Sequence, residues 1–376
     1  MAIYLDFNAS APINERVLGR MNEVWLRHYG NADSRTHIFG TKAKEIVSEA
    51  RESLCDILST DSTDLLFTSG ATESNNMAIL GLLDYATETG RTHFIATSIE
   101  HKSILEPMKY LQNRGCTVDF VSPDSSGRIA ANHILERVTD KTLLVSVMHV
   151  NSETGIIQPI IEIGDELSKT NTFFHIDATQ GFGKLNDEIR KTKYDMLSVS
   201  SHKIGGPQGV GAFILRRSNT FKRPPVKPLM YGGQQERGYR PGTTPVALVA
   251  GFALAAELCE QEGSKSITAC RNTKESFMKA ISGLKYTLNG DQSYCIPSTI
   301  NISFNGVDAE GVFVAVKEHY ALSNGSACNS GSYEASYVLT AMGLDEMRIA
   351  SALRMSWDGK TEVDFSRLIE YVKSIV

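Results

Sequence analysis

Short runs of valine, isoleucine, phenylalanine and leucine recur along the first part of the chain, separated by longer stretches with helical spacing. Such runs are typical of strands that are buried on both faces of a parallel sheet. They predict strands at residues 65–68, 93–98, 117–121, 143–150, 173–177, 196–200 and 211–215. The alternation of these strands with helices predicts an α/β fold with a large, mostly parallel seven-stranded sheet.

Two helices can be placed from signals of their own. Residues 41–58 carry apolar side chains every three to four positions, which is the spacing of an amphipathic helix. At Thr244 a hydroxyl N-cap precedes Pro245 at the first helical position, so a helix is predicted to start there. Residues 246–256 are nearly all apolar and predict a buried connector to a second domain. This run falls short of the roughly 20 residues that a membrane span requires.

The pattern of apolar and polar residues changes after about residue 263. The later part predicts a strand at 300–304, a glycine- and serine-rich loop at 323–332, a helix, a strand at 353–357 and a final helix from Glu362. We therefore predict two domains. The large one comprises residues 14–262, with the connector helix, and a small α+β domain is built from residues 1–13 and 263–376.

Composition narrows the functional classes. With 41% hydrophobic and 22% charged residues, the 376-residue chain is a globular protein and not a disordered or collagen-like one. A net charge of -5 argues against direct nucleic-acid binding. The six cysteines contain no C-x-x-C pair, so no metal site is predicted, and reduced thiols suit a cytoplasmic protein. An acidic residue near the N-terminus replaces the positive charge of an export signal, and no membrane partner is expected.

Polar residues follow several predicted strands, at the edge of the sheet where open α/β folds bind ligands. The turn at residues 69–73 combines glycine, a small residue and the hydroxyl of Thr72 before a helix. This combination predicts a phosphate site, although the same residues also cap ordinary helices. His101 follows the next strand, and a histidine at that place is more often structural than catalytic when taken alone.

Two charged residues complete this set. Asp177 ends one predicted strand and Lys203 follows another. A lysine beside a buried strand is desolvated, which lowers its pKa and makes the amine nucleophilic. Pyridoxal phosphate requires a lysine for its Schiff base, a carboxylate at the pyridine nitrogen and donors for its phosphate. Lys203, Asp177 and the turn at Thr72 therefore predict a pyridoxal phosphate site.

The loop at residues 323–332 places Cys328 among glycine, serine and asparagine. Such a loop has no apolar wall to hide a thiol, so an accessible and reactive cysteine is predicted. The alternative is an exposed thiol without a function.

Taken together, the sequence resembles the cysteine desulfurases, pyridoxal phosphate enzymes of the aspartate aminotransferase-like fold type I. The matching blocks are residues 5–9, 68–75, 100–101, 150–155, 175–180, 200–203, 240–243 and 325–328. The Gly-Ser-Ala-Cys sequence at 325–328 is similar to class I, the group with the longer catalytic loop.

The resemblance implies a role for each matching residue. Lys203 bears the cofactor, Asp177 binds the ring nitrogen, Gln180 binds the phenolic oxygen, and His101 stacks on the ring. The phosphate is held by Ala71, Thr72, Ser200 and His202, and by Thr243 of the second subunit of a homodimer. Asn151 and Arg354 bind the substrate carboxylate, and Cys328 accepts the sulfur. L-cysteine would be converted to L-alanine, and His101 would relay the thiol protons.

The sequence departs from the family at several positions near the predicted site. The family usually has glycine where Ser201 stands, an aromatic residue at Gly205 and serine at Pro241.

The resemblance also bears on partners. Housekeeping relatives carry a longer tail than this chain, which ends at Val376. We therefore expect a sulfur acceptor in DNA phosphorothioate modification, with an iron–sulfur scaffold as the other candidate. An aminotransferase, a kynureninase-like β-lyase or a non-catalytic binding module on the same fold are the alternative interpretations.

Overall fold

The computed structural model describes residues 2–217, 223–325 and 335–375. Their strands are β1 (Ile3–Tyr4), β2 (Leu65–Thr68), β3 (His93–Thr97), β4 (Thr117–Val121), β5 (Thr142–Met148), β6 (Phe173–Asp177), β7 (Met196–Ser200), β8 (Gly211–Leu215), β9 (Tyr286–Leu288), β10 (Thr299–Phe304), β11 (Tyr320–Ala321) and β12 (Ala352–Ser356). The helices are α1 (Glu15–Arg27), α2 (Ile38–Leu58), α3 (Ala71–Leu80), α4 (Leu83–Thr89), α5 (Lys102–Asn113), α6 (Ala131–Leu135), α7 (Ile160–Leu167), α8 (Asn186–Lys191), α9 (Val246–Ala280), α10 (Ala309–Val316), α11 (Tyr337–Ala341), α12 (Glu346–Ala350) and α13 (Ser366–Ile375). In these ranges no helix is both long and apolar enough to span a membrane.

The seven predicted strands form one sheet in the order β2-β8-β7-β6-β5-β3-β4. Its neighbouring strands are parallel except for β8, which runs antiparallel to both β2 and β7. The fold class predicted from the sequence is confirmed. The strand predicted at 143–150 ends earlier, at Met148, because Val150 pairs with Ile157 in an isolated bridge instead of extending the ladder.

Three predicted helix boundaries are wrong by a few residues. Helix α2 starts at Ile38 because His37 caps it, accepting a hydrogen bond of 3.1 Å from the Gly40 N–H. Helix α9 starts at Val246, with Pro245 and not Thr244 at the N-cap. Helix α13 starts at Ser366 instead of at 362, since the Asp364 carboxylate accepts from the Ser366 N–H at 2.9 Å.

Helix α9 connects two hydrophobic cores. Phe252, in its first half, belongs to the core beneath the large sheet. Phe277, in its second half, belongs to a core that contains Leu5 and packs against Phe365 with ring centroids 4.8 Å apart. The second core is covered by the antiparallel sheet β12-β10-β9. The domain boundary predicted at 262 falls inside this continuous helix and stays a prediction.

The N-terminal segment crosses from the small sheet to the large one. Strand β1 pairs in parallel with β11, and Asp6 forms a β-bridge with Ser356, the last residue of β12. The Asn8 side chain then donates to the Thr299 hydroxyl at 2.9 Å. These contacts place the backbone of residues 8 and 9 at the carboxyl ends of the large parallel strands.

Candidate active site

A cavity of about 1090 Å³ lies at the carboxyl ends of the parallel strands. The structure brings most of the sequence-predicted site residues to its wall. Those lining it are Ala71, Thr72, His101, Asp177, Gln180, Ser200, His202, Lys203 and Arg354. Asn151 and Thr243 are not among the lining residues, and Cys328 lies outside the described residues.

The predicted phosphate turn lies between β2 and α3. Gly70 has φ +148° and ψ -179°, a conformation that residues with a Cβ rarely adopt. It allows α3 to begin at Ala71 with its N-terminus at the cavity, where the helix dipole and free N–H groups favour an anion. Burial and the adjacent Lys203 lower the pKa of His202 to about 4, so its imidazole is neutral at pH 7.

Asp177 is held in one orientation at the end of β6. Its Oδ2 accepts from Asn75 Nδ2 at 2.8 Å, and its Oδ1 accepts from the Thr179 N–H at 3.0 Å. The carboxylate is 6% exposed. A carboxyl group held in this orientation can partner the pyridine nitrogen of pyridoxal phosphate.

Lys203 is partly buried beneath the N-terminal segment. Its Nζ donates to the carbonyl oxygens of Asn8 at 2.6 Å and Ala9 at 2.7 Å. Burial, together with the positive charges of Lys184 and Arg354, lowers the pKa of Lys203 to about 8. A sizeable fraction of the amine is therefore unprotonated and nucleophilic near neutral pH.

His101 lies at the N-cap of α5, where its Nδ1 accepts from the Ser103 N–H at 3.1 Å. Desolvation by the cavity walls lowers the pKa of His101. The preceding Glu100 is fully buried, and burial raises its pKa to about 8. Its Oε1 accepts from Thr97 Oγ1 at 2.7 Å and from the Met148 N–H at 2.8 Å. Glu100 thus fastens the His101 turn to two neighbouring strands.

The two predicted carboxylate-binding residues differ in their surroundings. Arg354 is 3% exposed, lines the cavity and pairs with Asp6, while its Nε has no hydrogen-bond partner among the described residues. Asn151 is 1% exposed, and its Oδ1 accepts from the backbone N–H groups of Glu153 and Thr154 at 2.9 and 3.0 Å. Its substrate role stays a prediction, because the described structure uses its amide to shape a turn.

The chain reaches the cavity on either side of residues 326–334, which lie outside the described residues. Gly325 and Ala335 both line it, and the buried Glu153 contacts both flanks. Glu153 Oε2 accepts from Ser336 Oγ at 2.5 Å and lies 2.9 Å from where a Cβ on Gly325 would stand. The segment that contains Cys328 therefore begins and ends at the active-site cavity.

The remaining cysteines are poor nucleophiles. Burial raises the pKa of all five described thiols, to about 12 for Cys55 and about 11 for Cys259 and Cys270. A thiol that is so rarely ionised at neutral pH attacks slowly.

Sequence reasoning missed several residues of the site. The carbonyl groups of Asn8 and Ala9 hold Lys203, but a backbone acceptor has no residue-type signature. Asn75 was only part of a matching block, and Glu100 was only the neighbour of His101. Lys184 follows Gln180 by four positions and donates to its side chain, a helical spacing that could have indicated the contact.

The donor set fits pyridoxal phosphate. An amine of lowered pKa, an oriented carboxylate and a helix N-terminus beside hydroxyl groups meet around one cavity. Neither a metal nor a purely hydrolytic site would need this combination.

Comparison with known proteins extends this result. The aminotransferase class-V family model matches residues 3–358. The mitosomal cysteine desulfurase of Trachipleistophora hominis is 40% identical over 94% of this chain and 80% of its own length. Cysteine desulfurase IscS of Pasteurella multocida (strain Pm70) is 37% identical over 100% of this chain and 93% of its own. The crystal structure of DndA from Streptomyces lividans matches with a TM-score of 0.83 and 43% identity, covering 95% of this chain and 99% of that one.

Proposed function

The chain belongs to the aminotransferase class-V family and, within it, to the pyridoxal-phosphate-dependent cysteine desulfurases of the NifS and IscS kind, and we propose that its sulfur-accepting nucleophile is Cys328. The reaction takes sulfur from L-cysteine and leaves L-alanine. The kinship with named cysteine desulfurases argues against the aminotransferase and β-lyase alternatives. The binding module loses support as well, because Lys203 and Asp177 are both in place.

The residues around the cavity would hold the cofactor from several sides. Lys203 would bond it covalently, Asp177 would bind the ring nitrogen, and Gln180 would bind the phenolic oxygen. Ala71, Thr72, Ser200 and His202 would hold the phosphate, and His101 would lie against the ring. Pyridoxal phosphate, when bound, withdraws electrons from the Cα of the substrate and so makes the carbon acidic.

Arg354 orients the substrate. Its guanidinium is fixed by Asp6 and by the Ser152 carbonyl oxygen, which accepts from Nη1 at 3.2 Å. A planar, immobilised guanidinium suits bidentate binding of a carboxylate. We assign the α-carboxylate of cysteine to Arg354, with Asn151 as the second candidate ligand.

Lys203 moves the α-proton. Its unprotonated amine, available near neutral pH, takes the proton from Cα onto Nζ and later returns it to Cα to complete alanine. The carbonyl oxygens of Asn8 and Ala9 then accept hydrogen bonds from the resulting ammonium group. These two fixed acceptors stabilise the protonated lysine inside a partly desolvated site.

Cys328 takes up the sulfur. Its thiolate attacks the Sγ of the substrate, the Cβ–Sγ bond breaks, and the released electron pair takes up a proton to form the methyl group of alanine. Cys328 retains the sulfur as a persulfide, and His101 holds and returns the thiol proton. Three residues of extended chain span about 10 Å, so a cysteine three positions after Gly325 can reach the cavity wall.

The observation that carries this proposal is the meeting of Lys203 and Asp177 in a cavity to which the Cys328 segment is joined at both ends. Cys328→Ser should retain the cofactor and lose alanine formation from L-cysteine. Cys295→Ser is the matched control, since that thiol already has a raised pKa, and it should keep wild-type turnover. Unchanged alanine formation in Cys328→Ser would reject the mechanism.

We also propose a homodimer in which Thr243 completes the phosphate site of the partner. Thr243 is exposed and lies outside the cavity of its own chain. It adjoins Gly242, whose N–H donates to Gln235 at 3.1 Å, and Gln235 donates to Asp33 at 2.7 Å. The chain on both sides of Asp33 and the loop before Gln235 expose apolar side chains, which in a monomer would face water: Trp25, Leu26, Tyr29, Ile38, Phe39, Leu229, Met230 and Tyr231.

For the acceptor, we propose a cytoplasmic protein of DNA phosphorothioate modification, with an iron–sulfur scaffold as the second candidate. DndA, at 43% identity, is among the matching structures and supports the first candidate. The sequence identity to IscS proteins supports the second candidate, an iron–sulfur scaffold. Transfer of ³⁵S from the persulfide to each purified candidate decides between them. Labelling of the scaffold alone would overturn the first assignment.

A further inference from the structure

Lys184 is a charged residue next to the active site that the proposed mechanism does not use. It lies in the turn that follows Gln180, and its Nζ donates to Gln180 Oε1 at 3.1 Å. Burial lowers the pKa of Lys184 to about 8. Placing the charged amine of Lys184 in this partly desolvated position costs more free energy than placing it at the surface. The contact of Lys184 with Gln180 therefore indicates a functional role.

The hydrogen bonds of Gln180 can be counted. Its side-chain amide has one oxygen and two N–H donors. Lys184 occupies the oxygen, and one N–H donates to the Asn8 carbonyl oxygen at 2.8 Å. Because Gln180 is 4% exposed and lines the cavity, its second N–H is the group left for a bound ligand. An ammonium group can only donate a hydrogen bond. Lys184 therefore keeps the oxygen of the Gln180 amide toward itself and the NH2 group away from itself.

The same contacts connect Lys184 to Lys203. The Asn8 carbonyl oxygen accepts from Gln180 and from Lys203, so one row of hydrogen bonds joins all three side chains. The positive charge of Lys184 also lowers the pKa of Lys203, second only to burial. The other charged groups acting on Lys203 are Arg354, Asp6 and Asp177, and the titratable groups acting on Lys184 are the thiols of Cys270 and Cys259, which are uncharged near neutral pH.

We propose that Lys184 is a positioning residue: it holds the Gln180 amide with one N–H free for the phenolic oxygen of pyridoxal phosphate, and its charge favours the unprotonated amine of Lys203. This inference rests on the proposed roles of Gln180 and Lys203. Lys184 itself touches neither substrate nor cofactor in it.

The test compares Lys184→Met, Lys184→Arg and the control Lys191→Met. Lys191 is an exposed residue of α8, so its replacement removes a positive charge close in sequence without touching this row. Two quantities are measured: the dissociation constant of pyridoxal phosphate from reconstituted protein, and the midpoint pH at which Lys203 of cofactor-free protein reacts with acetic anhydride.

Lys184→Met should weaken cofactor binding about tenfold, the effect of one hydrogen bond, and should raise the midpoint of Lys203. Lys184→Arg should restore both, because a guanidinium also donates and carries charge, and Lys191→Met should match the wild type. A wild-type dissociation constant and midpoint in Lys184→Met would overturn the proposal. A purely structural role would lower the melting temperature and leave the midpoint of Lys203 unchanged.

Gln180→Glu provides a second route if Lys184→Met does not fold. The carboxylate still accepts from Lys184, but it has neither the N–H bound to the Asn8 carbonyl oxygen nor the N–H left for the cofactor. Wild-type cofactor affinity in Gln180→Glu would equally overturn the proposal. Borohydride reduction of the wild-type holoenzyme followed by peptide mapping tests Lys203 separately. Labelling of another lysine would refute the proposed function and not merely the role of Lys184.

Discussion

The amine of Lys203 owes its reactivity to its surroundings. Burial and two positive neighbours lower its pKa from 10.5 to about 8. The rate at which cofactor-free protein bonds pyridoxal phosphate should therefore rise about tenfold per pH unit up to about pH 8 and then level off. Stopped-flow absorbance measures it, with Nα-acetyl-lysine as a reference whose rate keeps rising toward pH 10.5. A protein rate that follows the reference would contradict the lowered pKa.

Glu100 should make stability depend on pH in the opposite way to an ordinary carboxylate. Its folded pKa of about 8 lies above the usual 4.5, so the unfolded chain loses this proton first and stability falls as pH rises from 4.5 to 8. Glu100→Gln keeps the acceptor and cannot ionise. We expect it to be at least about 1 kcal/mol more stable than the wild type at pH 8 and equal to it at pH 4.5. Urea unfolding at both values checks this, and equal stability at pH 8 would contradict it.

At the residue level, the sequence revealed those groups whose chemistry is unusual for their place. Asp177 and Lys203 stand out because a charge at the end of a buried strand needs an explanation. Asn8 and Ala9 could not be found in this way, since they act through carbonyl groups that every residue has. Asn151 was placed at the substrate by resemblance, and only the coordinates reveal that its amide is occupied by a turn.

Among the elements, β8 and the phosphate turn pack unusually closely. A Cβ on Gly211 would stand 2.5 Å from the Val199 carbonyl oxygen and 2.7 Å from Gly70 Cα. Gly211→Ala must move backbone, so it should destabilise the protein by about 1–3 kcal/mol and also weaken cofactor binding. Gly263→Ala in α9 meets no atom within 4 Å and should stabilise by about 0.5–1 kcal/mol. Thermal unfolding and cofactor titration of both variants test this, and unaltered cofactor affinity in Gly211→Ala would refute the link to the turn.

Elements were predictable where one pattern dominated. The bounds of β6 were predicted without error because four of its five consecutive residues are buried and the first is partly buried. Strands β1 and β11 were not predicted, because two-residue strands have no hydrophobic periodicity and form only through their pairing with each other. Helix α1 was missed although Val17, Met21 and Val24 form a buried stripe behind the N-cap Asn14, a signal that the sequence did contain.

For the whole molecule, we expect the exposed apolar residues of α1 and Tyr231 to form the interface of the proposed homodimer. A stable dimer buries roughly 1,600 Å² in total, and apolar groups at its centre contribute most. Leu26 is 77% exposed, so Leu26→Glu should give monomers that bind pyridoxal phosphate weakly, because each lacks the partner's Thr243. Met347→Glu is the control, since Met347 is 84% exposed and lies on α12, outside the proposed interface. Sedimentation velocity distinguishes them, and a dimeric Leu26→Glu protein with full cofactor affinity would reject the arrangement.

The N-terminal segment has a consequence for how the protein is made. Asn8 and Ala9 come long before Lys203 in the chain, yet the segment that positions them pairs with Tyr320, Ser356 and Thr299, which come long after it. Lys203 therefore gains its two acceptors only after Ser356 has been synthesised, long after the strands that surround Lys203 could have paired. Such distant pairing is slow to form. We therefore expect the nascent chain to be unable to mobilise sulfur until synthesis has passed Ser356.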